Sequence, residues 1–377
     1  MRILIGADTV PTPSNVDEFI AGDAEALLGE SLLHLLDSSD YRIVNLEVPL
    51  CSECSPIPKC GPNICANPNS VEGFKAMGID CVSMANNHIL DEGAEGFQQT
   101  IQTLNAANIG HFGAGANLDE SKRPFYLNDD EIRVGFLAFA EHEFSIAGIN
   151  SPGANPYTDS ESPKLVKNLK DKCDYVVVLY HGGVEHYRYP TPQLQSRCRL
   201  LAEFGADYII CQHSHCIGCR ELYNGSTIVY GQGNFLFDAE ELECWQTSLL
   251  VELNFGSCGS SITYHPICKD GSHVSLATDS RKSEILTSFE CRSADIASNN
   301  CFIENQFREY ARESLNWSLR SFVPGSSSLF YKAMNKLTHG NLAAMLLGRN
   351  RLLCILNKVE CEAHREVLIT GLKDLIS

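Results

Sequence analysis

The chain has 377 residues, of which 44% are apolar and 20% charged, the make-up of a globular protein that can bury a sizeable core. Its formal net charge is −18 and unevenly spread: residues 1–299 carry 40 acidic and 19 basic side chains, and residues 300–377 carry 7 and 10. An acidic body of this kind repels nucleic acid and anionic membrane, and no unbroken apolar run reaches the roughly 18 residues that a spanning helix needs.

Strand–loop–helix alternation runs through the first two-thirds. Residues 2–6 read as a strand ending at Gly6-Ala7-Asp8. They lack the basic region, apolar stretch and cleavage site of a secretory leader, so a cytoplasmic chain is expected. Apolar spacing through Leu27, Leu32, Leu33 and Leu36 predicts a helix over 24–36. A strand over 41–46 follows and ends at Asn45-Leu46-Glu47. A helix over 69–77, closed by Gly78, precedes a strand over 79–84 that delivers Asn86-Asn87-His88. Next come a helix over 93–107, a short strand over 109–113 and a strand over 132–139. After a helix over 162–170, the continuous apolar run 175–180 reads as a fully buried strand. It ends at His181-Gly182-Gly183. A helix over 193–204 and a strand over 208–211 lead to His213-Ser214-His215. A strand over 227–230 leads to Gly231-Gln232-Gly233-Asn234. Alternation from 249 to 274 predicts antiparallel strands. The composition changes near residue 280, after which 302–322, 329–347 and 352–376 read as helical. This gives a body over 1–280 and a helical region over 281–377.

Each polar cluster closes an apolar strand, where α/β enzymes place their active residues. Together they offer the carboxylates of Asp8 and Glu47, the amides of Asn86 and Asn87, and the imidazoles of His88, His181, His213 and His215. That mixture of hard oxygen and imidazole donors suits a cluster of divalent metals. Singly, each residue has a plainer reading: Asp8 a turn former or cap, Glu47 a solvated charge, Asn86-Asn87-His88 a polar turn before the next helix, His181 a satisfied core histidine. Asp91, three residues beyond His88, is placed to orient its imidazole. Glu185 and His186 follow His181 within reach of the same mouth, and Asn234 reads as a contact to a metal-holding residue or to substrate rather than as a ligand. Seventeen cysteines form a high, odd count that suits reduced thiols. Cys51, Cys54, Cys60 and Cys65 are dense enough to suggest zinc, but their spacing is looser than paired C-x2-C knuckles and Pro56, Pro58 and Pro62 break the segment. Cys211, Cys216 and Cys219 flank the His213/His215 pair, near enough in sequence to touch a metal, but read more plainly as thiols beside the site. There is no G-x-S-x-G elbow, no G-x4-G-K-[ST] loop and no H-E-x-x-H helix.

In order and spacing these motifs resemble the CapA, or poly-γ-glutamate capsule biosynthesis, family within the calcineurin-like metallophosphatase superfamily. The matching stretches are Asn45-Leu46-Glu47-Val48-Pro49-Leu50, Pro58-Lys59-x-Gly61-Pro62-Asn63, Ala85-Asn86-Asn87-His88-Ile89-Leu90-Asp91-x-Gly93, Gly113-Ala114-Gly115-x-Asn117, His181-x-Gly183-x-Glu185, Gly205-Ala206-Asp207, His213-Ser214-His215 and Tyr230-Gly231-Gln232-Gly233-Asn234-Phe235. The resemblance implies an α/β fold, a four-layer α/β/β/α sandwich of two mixed sheets, with the C-terminal helices as an appendage. It implies that Asp8 and His215 hold one metal, that Asn87, His181 and His213 hold the other, and that Glu47 bridges them where the superfamily has an aspartate. His88, with Asp91, would be the proton donor to the leaving group. Two departures stand in the first motif: Ala7 separates Gly6 from Asp8, and Val10 occupies the place of an occasional histidine.

The implied cofactors are two divalent ions (Mn, Fe or Zn) sharing a hydroxide. The implied reaction is hydrolysis of a phosphoester, with Lys59, Asn86, Glu185 and Asn234 as substrate contacts. A competing expectation is a non-catalytic accessory of poly-γ-glutamate capsule or envelope-polymer synthesis, and a third is an interaction protein that docks through its helical tail. The expected partners are a small anionic substrate, phosphoester or glutamate polymer, with no nucleic acid, no membrane span, and oligomer formation through the C-terminal helices.

Overall fold

Side-chain parity along two buried strands shows how the layers are built. In Arg133–Ala140, Val134, Phe136 and Ala138 point to one face while Leu137 and Phe139 point to the other. In Tyr175–His181, Val177 and Leu179 join the first set, and Val176, Val178 and Tyr180 the second. The first set packs in one core with Ile3, Ile5, Ile43 and Val82 of another sheet. The second packs under Val166, Leu169, Leu194, Cys198 and Leu201 of the helices Ser162–Lys170 and Pro192–Glu203. A sheet apolar on both faces must be covered twice, by a sheet and by helices.

This computed structural model describes all residues except 53–54, 130, 239–240, 300 and 377. Two compact units emerge, Met1–Ile303 and Glu304–Ser377. Among the described residues, the first sheet of the larger unit runs in space His273–Leu276, Gly259–Asp270, Thr247–Gly256, Arg2–Thr9, Tyr41–Leu46, Cys81–Ser83, Gly110–Phe112, with Asn234–Leu236 also paired to Arg2–Thr9. The second sheet runs Arg220–Tyr223, Ser226–Tyr230, Tyr208–Gln212, Tyr175–His181, Arg133–Ala140, Phe125–Asn128. The strands from Arg2–Thr9 through Gly110–Phe112 are parallel and the remainder of that path is antiparallel. The second sheet is parallel inside with an antiparallel strand at each edge. Phe74, Phe97 and Leu104 of the helices Val71–Ala76 and Gly93–Ala106 complete the covering of the first sheet. The molecule is thus the four-layer α/β/β/α sandwich implied above.

Some elements differ from the sequence reading. The helix expected over 69–77 is a 3-10 turn Pro68–Ser70 followed by Val71–Ala76, because Pro68 pre-sets the first turn. The edge strands Phe125–Asn128 and Arg220–Tyr223 are short and only partly buried, so they carry a weak alternating signal. The compositional change near residue 280 marks the helix Asp279–Ser298, whose Ile285 and Phe289 pack on Ile217 and Leu249, and the larger unit continues to Ile303. In the smaller unit, Leu319, Val323, Tyr331, Leu342, Ala343 and Leu347 form a core of their own. The helix read over 329–347 is interrupted after Leu329–Leu337 at Gly340 (φ 85°), and Leu342–Glu360 breaks again at Gly348 (φ 64°).

One close backbone approach fixes the loop after Tyr208–Gln212. The Gly218 N–H donates to the Gly231 carbonyl at 3.0 Å, and a Cβ at Gly218 would lie 1.5 Å from the Tyr230 carbonyl oxygen. Gly218→Ala therefore has to displace backbone. It is expected to cost about 3 kcal/mol in denaturant unfolding and to weaken whatever the 213–217 loop binds.

Candidate metal centre

Strand register aligns the polar clusters. Asp8 pairs with Asn45 on one side and Asn234 on the other, with irregularities in the ladders at Asp8. The parity that turns Val177 and Leu179 into the inter-sheet layer carries on to His181. Its Nε2 lies 3.1 Å from Glu47 Oε1, and its Nδ1 3.8 Å from Asp8 Oδ1. His213 Nδ1 lies 3.1 Å from His181 Nε2, and the His213 backbone N–H donates to Asp8 Oδ2 at 3.1 Å. His215 Nδ1 is 3.4 Å from Asp8 Oδ2 and 2.8 Å from Asn234 Oδ1. Asn87 Oδ1 is 2.9 Å from His181 Nε2. The structure thus brings together Asp8, Glu47, Asn87, His181, His213 and His215. Donor atoms of Asp8, Glu47 and His215, and again of Glu47, His181 and His213, lie within 4.8 Å of one another, with Glu47 common to both groups. Two of these residues are held in left-handed backbone, His213 at φ 87° and His215 at φ 51°. Such conformations are uncommon outside glycine and persist where the surroundings enforce them.

The electrostatics test whether cations fit. Glu47 is fully buried, and neither carboxylate oxygen has a hydrogen-bond partner. A buried charge in that state is costly. Burial, and then the Asp8 charge, push its pKa up to about 8. For Asp8 burial also acts upward, but the hydrogen bond from His215 and the His181 charge prevail and hold it at about 2. Burial lowers His181 to about 4 and His213 to about 3. At His215 burial is overcome by Glu47 and Asp8, which raise it to about 9. Two neutral imidazoles, one ionised carboxylate and one unpartnered carboxyl group form a donor set of mixed nitrogen and oxygen, which divalent cations satisfy.

The other expected residues sit around this centre. His88 Nδ1 is 2.7 Å from Asp91 Oδ2, and Asp91 also accepts the Ile64 N–H at 2.8 Å. Lys59 has a side chain only 3% exposed and is paired with Asp91, its Nζ 3.2 Å from His88 Nδ1. A buried ammonium requires such a carboxylate, so Lys59 supports the His88–Asp91 pair from behind. Asn86 is fully buried: its amide donates to Asn45 Oδ1 at 3.1 Å and the Leu46 carbonyl at 2.8 Å, and its oxygen accepts the His88 N–H. It ties two strand ends together. Glu185 is exposed. Asn234 is buried beside His215, with its Nδ2 unpartnered. Ala7 and Val10, which mark the departures in the first motif, are both buried in the core. Cys54 lies outside the described residues; Cys51 and Cys65 have sulfurs 2.9 Å apart, and Cys60 is exposed. Among the described residues no potential metal-holding group contains a cysteine. Burial drives the Cys216 thiol up to about 11 and raises Cys219 as well.

Three participants were given no role by the sequence reading. Asn45 Nδ2 donates to Asp8 Oδ1 at 2.8 Å and lies 3.3 Å from His181 Nδ1; its signal was a lone amide inside a buried strand. Trp245 lays its ring 4.7 Å from that of His215 and donates from Nε1 to His186 Nε2 at 2.9 Å. Glu143 reaches Asn87 Nδ2 at 3.4 Å and His213 Nε2 at 4.0 Å from a loop without a motif.

Known proteins are similar to this chain. The "Capsule biosynthesis protein CapA" of Bacillus anthracis is 30% identical over 239 residues, covering 60% of this chain and 57% of that protein. The "PGA biosynthesis protein CapA" of Bacillus subtilis (strain 168) is 31% identical over 175 residues, covering 46% of each. The chain thus spans about half the length of these curated relatives. A solved structure of a "novel phosphatase" from Mycoplasma pneumoniae aligns with TM-score 0.44 and 15% identity over 72% of this chain and 94% of that one. Residues 12–239, more than half of the sequence, match the family described as "Bacterial capsule synthesis protein PGA_cap", and the chain belongs to that family.

Proposed function

We propose that the chain is a metal-dependent hydrolase of a phosphoester or related anionic substrate. In this reading two divalent ions of Mn, Fe or Zn are held by Asp8 and His215 on one side and by Asn87, His181 and His213 on the other, with Glu47 shared. The observation that carries it is the fully buried Glu47 carboxylate, without a hydrogen-bond partner, among those imidazoles. When bound, such ions supply Lewis-acid charge and an activated water near neutral pH.

The protein's own groups then have distinct tasks. Asn45 fixes Asp8 and His181 in one geometry through a single amide. With its Nδ1 proton donated to Asn234 Oδ1, His215 leaves the Nε2 lone pair available. With its Nδ1 proton donated to Asp91, His88 presents Nε2 as the atom that passes a proton to the departing oxygen. Exposed Glu143 and Glu185 at the rim favour a substrate that is not a dense polyanion on that side. The names of the CapA relatives favour a second reading, an accessory role in poly-γ-glutamate or capsule synthesis with weak or no turnover.

Three outcomes test the proposal. Purified protein is expected to take up more than one equivalent of transition metal and to turn over a chromogenic phosphoester with Mn²⁺, while His213→Ala loses metal and turnover together. Less than one equivalent, with no gain on adding Mn²⁺, overturns the hydrolase reading. Titration calorimetry across pH gives a second test. In the metal-free site Glu47 is raised to about 8 and His215 to about 9, so protons compete with the cation for both groups. Metal affinity is therefore expected to rise from pH 7 to pH 9, by about tenfold per unit for each proton displaced, and Glu47→Gln should flatten the slope. Third, His88→Ala is expected to lower kcat by roughly 10²- to 10⁴-fold with metal content unchanged by elemental analysis.

A further inference from the structure

The helical unit Glu304–Ser377 leaves a great deal of apolar surface uncovered. Among the described residues, 17 of the 23 exposed large apolar side chains belong to it. On Leu329–Leu337, Tyr331 and Met334 turn into the unit's own core, whereas Leu329, Phe330 and Leu337 are 84%, 77% and 73% exposed. Positions 330, 333 and 337 share one helical face, and the exposed Lys332 and Lys336 border it. Trp317 is 75% exposed, and Leu353 and Leu356 stand out from Leu342–Glu360.

The charge of the same stretch is one-sided. From residue 314 to residue 359 it carries Arg320, Lys332, Lys336, Arg349, Arg351 and Lys358 and no aspartate or glutamate, in a chain whose net charge is −18. Exposed aliphatic and aromatic side chains interleaved with cations are complementary to a lipid–water interface that bears negative headgroups.

We infer that residues 314–359 dock this protein on the surface of an anionic lipid bilayer. The apolar side chains enter the headgroup–acyl boundary, and the lysine and arginine stems extend outward to lipid phosphates. The segment lies on the bilayer, since among the described residues no helix is long and apolar enough to cross one. A second copy is a poorer occupant, because two-fold pairing of this patch sets cations against cations. Nucleic acid is poorer too, because most of the exposed apolar side chains of 314–359 are aliphatic and offer bases little to stack on beyond Trp317, Phe322 and Phe330. The inference stands on this surface alone and is independent of the hydrolase reading.

Cosedimentation of the 377-residue chain with vesicles tests it. Vesicles of phosphatidylglycerol and phosphatidylcholine should bind it at least about tenfold more tightly than pure phosphatidylcholine, with binding weakened by added salt. Leu329→Ser with Phe330→Ser, and separately Lys332→Glu with Lys336→Glu, should each reduce binding by about tenfold or more at unchanged melting temperature. Binding absent or equal on the two vesicle types overturns the inference. So does capture of soluble polyglutamate or RNA without vesicle binding, or a concentration-dependent dimer in sedimentation velocity that these substitutions dissolve without vesicle binding. If the variants fail to fold, the lipid preference and salt dependence of the unmodified chain still decide.

Discussion

The centre depends on how closely two sheets approach. Asn45, on the first sheet, has an amide nitrogen that reaches Asp8 Oδ1 at 2.8 Å on its own sheet and His181 Nδ1 at 3.3 Å on the other. The His213 backbone, leaving the second sheet, donates back to Asp8 at 3.1 Å. Stacked sheets pack about 10 Å apart because side chains of both must fill the space. Only at the strand ends, where the apolar filling of Val177 and Leu179 gives way to His181, can polar groups of the two sheets meet across that gap. The apolar core is therefore the spacer that sets the distances between the donors.

That geometry explains why neighbouring carboxyl groups behave in opposite ways. Asp8 receives hydrogen bonds from Asn45, from the His213 backbone and from the His215 side, and is held ionised at about 2. Glu47, a few ångströms away and equally buried, receives none and is pushed to about 8. Divergent environments for adjacent acids are a mark of functional rather than structural placement. The cationic group that acts on Glu47 is His215, raised to about 9, whereas Lys59, close in sequence, is committed to Asp91.

The fold was legible where single strands announce themselves. The run 175–180 and the strand over 41–46 are strong apolar signals, and the structure has Tyr175–His181 and Tyr41–Leu46. The motifs at their ends named the residues that converge. What sequence could not show was direction. Asn86 lies beside Asn87 in the chain, yet one amide turns inward to Leu46 and the other outward to His181. Lys59 looked free to meet an anion until Asp91 was seen beside it. Asn45 and Trp245 act through distances of 2.8–4.7 Å across elements far apart in sequence, which no local pattern encodes.

The left-handed backbone at His213 and His215 has an evolutionary corollary. Those conformations tax folding, and glycine or asparagine would relieve them without disturbing the strands on either side. A lineage that ceased to use the imidazoles would gain stability by losing them, so drift would erase this pair early. Under the proposed metal-binding role, the ligation would offset the strain that such backbone imposes at these two positions.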